Sequence, residues 1–137
     1  LELKEVPKPT LKDDEVLIKT HASSINSWDW EFLNGKPFIN RLMYGLLKPK
    51  PEKQILGADI AGTIEAVGRH VKQFQPGDHV FGDLWDNWGG FAEYACAPET
   101  ALAPKPANLT FEEAAAVPQA GVLALQGFRK AGQMSPG

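Results

Sequence analysis

Two pairs of tryptophans are the residues of this chain whose type and spacing most suggest a binding function. Trp28 and Trp30 form the first pair, and Trp85 and Trp88 form the second, each in a segment whose pattern predicts a connection rather than a strand. Indole rings on connections over a rigid β body can wall a pocket for a flat, apolar small-molecule substrate. The same rings can also serve as core or partner-facing anchors, and the residue pattern leaves both interpretations open.

An amide and a carboxylate, Asn26 and Asp29, lie beside the first tryptophan pair. Taken singly, Asn26 is typical of a turn in which the side chain hydrogen-bonds its own backbone. Asp29 is typical of a first helical turn, where a carboxylate complements the helix dipole. Their position next to the indoles also makes them candidate polar groups of the same pocket.

The other residues that often carry chemistry favour neither a metal site nor covalent catalysis. The three histidines have no Cys or His partner at ligand spacing, and the single cysteine, Cys96, alternates with alanines as a small buried residue does. These histidines are His21, His70 and His79. No Gly-x-Ser-x-Gly nucleophile motif is present, and the glycines between positions 57 and 68 do not have the spacing of a dinucleotide-binding loop. The residues therefore predict no metal, no nucleophile and no phosphate cradle.

The composition excludes further classes of partner. The 137 residues carry 14 basic and 17 acidic side chains, for a net charge of −3, and 43 % of them are hydrophobic. Such a balance is typical of a globular domain with one core and offers no basic surface for nucleic acid. No apolar run approaches the length of a membrane span, so we expect neither a nucleic-acid nor a membrane partner.

The pattern of apolar residues predicts short strands first and helices last. Strands are expected at 1–6, 15–22, 57–68, 78–82, 90–97 and 101–104. Ser27 is expected to cap a short helix that ends before Gly35, and 38–47 is expected to form a helical insert. Thr110 and Glu113 form a capping box for a helix that runs to Pro118, with a further helix over 121–130. This order predicts an α+β, mainly β fold with a barrel or sandwich body.

Two details of the central region predict local geometry. Gly62, inside an apolar run, indicates a bulge or a close approach of two backbones. Pro76 and Gly77 predict a turn, because proline fixes one central residue while glycine can take a positive φ.

Seven motifs, in order along nearly the whole chain, resemble the N-terminal GroES-like catalytic domain of the medium-chain dehydrogenase/reductase superfamily. They are Glu15–Lys19, Ser24–Asp29, Gly57–Gly68, Phe74–Gly82, Gly90–Tyr94, Lys105–Leu109 and Ala114–Gly121. The resemblance implies a partly open, GroES-like β-barrel over residues 1–137, with a C-terminal helical segment leading toward a Rossmann domain. That second domain is absent from the chain, so we expect a piece of a two-domain enzyme, cut at the Pro136–Gly137 junction and inactive alone.

Within the superfamily, the sequence resembles the zinc-independent, quinone oxidoreductase-like branch. Zinc-dependent alcohol dehydrogenases carry Cys where this chain has Asn26, and Gly-His-Glu where it has Gly57–Asp59. Their third ligand falls at or near Gln119. An amide and a methyl group cannot replace a thiolate and an imidazole as zinc ligands, so the resemblance implies no metal.

The resemblance also implies the reaction: hydride transfer from NADPH to a quinone, an enone or a related carbonyl compound. Asn26 would be the main polar group near the nicotinamide and the reacting carbonyl, and Asp29 would orient the loop. Leu123 stands where the branch has threonine, so a hydroxyl contact to the cofactor is lost. The whole enzyme is expected to be a cytoplasmic homodimer that binds a small-molecule substrate.

Two other functions stay open at this point. A GroES-like barrel can be a non-catalytic binding or assembly module, as in co-chaperonins, although the apolar and proline-bounded 35–55 region does not favour a long mobile loop. A catalytically silent member of the same superfamily is the third possibility.

Overall fold

A computed structural model describes residues 2–34 and 55–131 of the chain. The described part is mainly β, with five strands that form one antiparallel sheet in the order β4-β1-β2-β3-β5. The strands are β1 (Glu15–Ala22), β2 (Asp59–Val67), β3 (His79–Asp83), β4 (Tyr94–Pro98) and β5 (Leu102–Pro104). The helices of the described residues are α1 (Ser27–Asn34), α2 (Phe111–Ala115) and α3 (Pro118–Ala131), and a 3-10 turn spans Glu99–Ala101. The α+β, mainly β prediction is confirmed, and the sheet as described is open, with β4 and β5 at its edges.

The core lies around the apolar strands β1 and β2, each of which has a neighbouring strand on both sides. β1 pairs with β2 through Val16↔Val67 to Ala22↔Ala61 and with β4 through Glu15↔Pro98 to Lys19↔Tyr94. One cluster of buried aliphatic side chains joins four of the strands and the residue after β3: Val16, Ile18, Ile60, Ile64, Val80, Leu84, Ala95 and Ala97. Each large side chain of this kind contributes about 1.5–3 kcal/mol when fully buried. The two faces of β4 alternate as predicted, with Ala95 and Ala97 buried. The prediction of a buried Cys96 is wrong, since this side chain lies on the other face of the strand and is only half-buried.

Gly62 lies where β2 passes close to β1. A Cβ atom on Gly62 would overlap the carbonyl oxygen of Lys19 and lie 2.7 Å from Cγ2 of Ile18. The register between the two strands also shifts between Thr20 and Ala22. The predicted close approach is therefore present, and it lets β2 cross β1 without a side chain between them.

The predicted turn and capping box are both confirmed. Gly77 has φ +97° in the turn before β3, a conformation that glycine adopts at little cost. The Thr110 hydroxyl accepts a hydrogen bond from the Glu113 N–H at 3.1 Å, and the Thr110 N–H donates to the Glu113 carboxylate at 2.8 Å. This box starts α2, which packs Ala114 and Ala115 against Ala61 of β2.

Four boundary predictions are wrong. Residues 2–10 form no strand, because alternation alone does not supply a neighbouring strand. Residues 90–93 form a turn before β4 and are not part of its strand. Helix α1 begins at Ser27, so Asn26, and not Ser27, occupies the capping position before the helix. α3 begins at Pro118 instead of 121, since proline is well tolerated in a first helical turn, where its missing N–H has no partner to lose. The predicted insert at 38–47 lies outside the described residues.

No helix in residues 2–34 or 55–131 is long and apolar enough to cross a membrane.

Candidate functional site

Asp59, the first residue of β2, is the polar centre at one end of the sheet. The side chain is fully buried, and its carboxylate accepts hydrogen bonds from the Ser24 hydroxyl at 3.0 Å and from Asn26 Nδ2 at 3.1 Å. The backbone N–H of Gln119, in the first turn of α3, donates to the same carboxylate at 3.1 Å. One carboxylate therefore joins the segment before α1, the start of α3 and the sheet.

The hydrogen bond to Asp59 fixes the orientation of the Asn26 amide. Nδ2 carries the only side-chain hydrogens of Asn26, and it faces the Asp59 carboxylate and, at 3.4 Å, the Ser24 hydroxyl oxygen. The other polar atom, Oδ1, is an acceptor. Asn26 therefore offers an incoming ligand a carbonyl oxygen and not an N–H donor.

Asp29 holds the loop that carries Asn26. Its side chain is 1 % exposed, and its two oxygens accept the backbone N–H groups of Asn26 at 2.8 Å and of Gly57 at 3.0 Å. The bond to Asn26 is one half of a capping arrangement at the start of α1, and the bond to Gly57 ties α1 to the residues before β2. This geometry agrees with an orienting role for Asp29.

A second carboxylate, Asp83, ends β3 directly opposite Asp59 in the register of the two strands. Burial raises the pKa of Asp59, with the hydrogen bonds from Asn26, Ser24 and Gln119 opposing that effect. Burial also raises the pKa of Asp83, and the negative charge of Asp59 adds to this effect. Desolvation and a nearby like charge both disfavour the ionised form of a carboxyl group.

A cleft of about 250 Å³ opens beside Asp83, between the end of β3, the start of α1 and one side of α3. It is lined by two indoles, one carboxylate, two amides and two aliphatic side chains: Trp28, Asp83, Trp85, Gln119, Val122, Leu123 and Gln126. The rings of Trp28 and Trp85 meet edge to face with centroids 4.9 Å apart. An apolar wall with a few convergent polar groups is the usual composition of a small-molecule site.

The four tryptophans divide between the cleft, the core and the surface. Trp28 and Trp85 line the cleft, as does Leu123. Trp88 is 4 % exposed and packs edge to face against Phe32, so it belongs to the core. Trp30 is 67 % exposed on α1 and is not among the lining residues. The pocket interpretation thus fits Trp28 and Trp85, and the core-anchor interpretation fits Trp88.

Residues 12–107, more than half of the chain, match the model of the alcohol dehydrogenase GroES-like domain family. The chain belongs to this family.

Relatives and solved structures agree with that assignment. Over 134 residues, this GroES-like domain is 37 % identical to a 2-methylene-furan-3-one reductase of Solanum lycopersicum, covering 93 % of this chain and 32 % of the relative. The quinone oxidoreductase of Coxiella burnetii has a TM-score of 0.83 at 32 % identity, over 95 % of this chain and 40 % of that one. An Escherichia coli quinone oxidoreductase complexed with NADPH has a TM-score of 0.78 at 25 % identity, over 97 % of this chain and 37 % of that one. The chain spans about a third of the length of the curated relatives it matches.

The GroES-like domain brings together the positions that the resemblance assigns to zinc ligands in other members. Asn26 and the backbone of Gln119 both hydrogen-bond Asp59, and Ala58 beside it is fully buried. In the part of the chain that the structure describes, no three His, Cys, Asp or Glu side chains are grouped in a way that could hold a metal ion. His21 and His79 instead pack against the ring of Phe111, with centroids 4.3 and 5.0 Å away.

Sequence reasoning did not single out Asp59 or Asp83 as site residues. Asp59 interrupts the apolar run from Ala58 to Ala61, and a carboxylate inside such a run is a signal of a buried, hydrogen-bonded group. Asp83 carries no comparable signal, because it lies at a strand end where aspartate is common. Its place in the cleft depends on α3, whose first turn follows 35 residues later in the chain.

Proposed function

We propose that this chain forms one wall of the active site of an oxidoreductase that transfers hydride from NADPH to a quinone, an enone or a related conjugated carbonyl compound, without zinc. The observation that carries the proposal is the cleft, whose edge-to-face indoles and aliphatic residues suit a flat, apolar ring. The names of the similar quinone oxidoreductases and of the furanone reductase support the same substrate class.

The residues of the cleft fit the nicotinamide part of such a cofactor and not its phosphates. No lysine or arginine is among the described lining residues, so a pyrophosphate would find no cationic partner there. Leu123 offers an apolar surface to the ring. Asn26 is not among the lining residues, and its proposed contact to the nicotinamide rests on the family resemblance. When bound, the nicotinamide supplies the hydride. The phosphates are expected to bind to a Rossmann domain in the longer protein.

The donor set at Asn26, Ala58 and Gln119 supports the zinc-free assignment. A methyl group has no lone pair, and the Asn26 amide is engaged with Asp59, whereas zinc sites use thiolate, imidazole or carboxylate ligands. Polarisation of the substrate oxygen would then come from hydrogen bonds, from water or from the cofactor itself.

The test compares the full-length protein with the 137-residue chain in the presence of NADPH and a benzoquinone. We expect loss of NADPH absorbance with the full-length protein only, and less than stoichiometric zinc by elemental analysis. Inactivity of the full-length protein toward quinones and enones would overturn the reaction, and stoichiometric bound zinc would overturn the metal-free assignment.

We also propose that the full-length enzyme is a cytoplasmic homodimer. Size-exclusion chromatography with light scattering and cell fractionation test this directly. A ring-shaped oligomer without reductase activity would favour the assembly-module function instead.

A further inference from the structure

Hydride addition to a conjugated carbonyl leaves negative charge on the carbonyl oxygen, which a hydrogen-bond donor stabilises and a proton neutralises. The Asn26 amide does not provide the donor, because Nδ2 is directed to the carboxylate of Asp59. Gln119 and Gln126 have amide N–H groups in the cleft lining but no proton that they can release at neutral pH. Asp83 is the one ionisable side chain among the described residues of this lining.

The position of Asp83 suits such a donor. The backbone N–H of Trp85 donates to Oδ1 at 2.9 Å, which fixes the carboxyl group and leaves Oδ2 as the oxygen that can carry a proton. Trp85 itself lines the cleft, so the carboxyl group is held next to the indole that would contact a flat substrate.

Burial and two nearby carboxylates favour the neutral form of Asp83, while the hydrogen bond from the Trp85 N–H lowers its pKa and opposes them. Asp59 faces it from β2, and Asp86 lies in the loop that follows β3; both are carboxylates whose charge raises the pKa of Asp83, although burial has the larger effect. From the helices, α1 contributes Trp28 to the cleft and α3 contributes Gln119 and Gln126. No described lysine or arginine in the lining opposes these effects.

We propose that Asp83, in its protonated form, donates a hydrogen bond and then its proton to the carbonyl oxygen of a quinone or enone bound in the cleft. This inference rests on the proposed function, which supplies the hydride from a nicotinamide donor. The hydride brings two electrons and one proton to the substrate. As the O–H bond of Asp83 breaks, an O–H bond forms on the substrate oxygen, which gives a hydroquinone or an enol and leaves the Asp83 carboxylate. Solvent then returns a proton to Asp83 through the open cleft.

The first test measures binding in the full-length protein without cofactor. Tetramethyl-1,4-benzoquinone is a suitable probe because its ring positions are blocked to thiol addition, and quenching of tryptophan fluorescence reports its binding. We expect Kd to rise with pH above the pKa of Asp83, by up to about tenfold per pH unit, since only the protonated acid can donate to the quinone. Asp83→Asn keeps an oxygen for the Trp85 N–H and adds an N–H donor, so its Kd should be low and independent of pH.

The second test measures turnover of the same proteins with NADPH. Asp83→Asn can donate a hydrogen bond but no proton, so we expect kcat to fall by about 100-fold while KM stays at or below that of the wild type. Glu93→Gln is the matched control, because it removes an exposed carboxylate that neither lines the cleft nor contributes to the pKa of Asp83. It should keep kcat within about threefold and retain the pH dependence of Kd.

The outcomes separate the two proposals. A wild-type protein that reduces neither quinones nor enones would overturn the proposed function itself. An active wild type whose kcat and pH-dependent Kd are both unchanged by Asp83→Asn would overturn the role of Asp83 and leave the function standing. A fall in kcat with equal effects of Asp83→Asn and Glu93→Gln would also overturn it, because the effect would then reflect the loss of any carboxylate charge.

Discussion

Asp29 illustrates how much a single buried carboxylate does for the site at the scale of one residue. It satisfies the backbone N–H groups of Asn26 and Gly57, one with each oxygen. Asp29→Asn keeps only one acceptor oxygen, so one of the two N–H groups loses its partner. We expect the free energy of unfolding to fall by about 1–3 kcal/mol, measured by urea denaturation.

The matched control for this prediction is Asp86→Asn. Its side chain is exposed, and surface substitutions of this kind usually change stability by less than about 0.5 kcal/mol. Equal losses in the two variants would contradict the role assigned to Asp29.

Cys96 provides a second test on a single side chain. Burial, followed by the nearby charge of Glu15, raises the pKa of its thiol to about 11. Because the thiolate is the nucleophile, alkylation by iodoacetamide at pH 8 should be about 100-fold slower than for free cysteine. Mass spectrometry follows the reaction, and the urea-unfolded chain should react at the ordinary rate. A folded-state rate within tenfold of free cysteine would contradict the raised pKa.

Residue types in the sequence predicted part of this site and could not predict the rest. Asn26 and Asp29 are three positions apart, so their joint location follows from local sequence. The partner that fixes Asn26 is 33 positions away in Asp59, and Asp59 meets Gln119 across 60 positions. Such pairs follow only from the sheet register, so the sequence indicated an amide near the reaction and not the direction in which that amide points.

At the scale of elements, the two glycines Gly62 and Gly127 have opposite surroundings and should respond oppositely to alanine. A Cβ at Gly62 would overlap the backbone of Lys19, while a Cβ at Gly127 in α3 meets nothing within 4 Å. Gly62→Ala should therefore lower the free energy of unfolding by about 1–3 kcal/mol or more. Gly127→Ala should raise it by up to about 1 kcal/mol, because alanine is the better helix former.

Thermal or urea denaturation of the two variants in parallel tests this pair. A Gly62→Ala protein as stable as the wild type would mean that β1 and β2 can separate at no cost, contrary to the close approach described.

Strands could be predicted from the sequence where an apolar run is buried between two other strands, and not where a segment only alternates between apolar and polar residues. The apolar run of β1 is buried between two strands and was predicted with its observed bounds, 15–22. The segment 1–6 alternates just as well, but residues 2–6 pair with nothing in the described structure. Alternation reports which face a strand would bury and does not supply the strand beside it.

For the whole molecule, Asp83 links stability to pH. Its pKa is raised in the folded state, so the folded protein binds more protons than the unfolded chain between the ordinary pKa of aspartate, about 4, and the raised value. The stabilisation contributed by the neutral acid is therefore present at low pH and is lost as pH rises through that window. In Asp83→Asn this loss is absent. The free energy of unfolding of the variant minus that of the wild type should therefore increase from pH 4 upward and then level off.

Urea denaturation at a series of pH values measures this difference. It needs neither cofactor nor substrate, so it tests the protonation of Asp83 separately from catalysis. A difference in unfolding free energy that does not change with pH would contradict the raised pKa.

The hydrogen bonds on Asp59 also bear on how the molecule assembles. They join segments 33 to 60 positions apart, and closing loops of this length costs chain entropy before the contacts can stabilise the fold. Helix α3 can acquire its turns locally, but its first residues reach their final place only when β2 is already in the sheet. We therefore expect the cleft to form late in folding, so that mutations at Asp59 accelerate unfolding more than they slow folding in stopped-flow measurements.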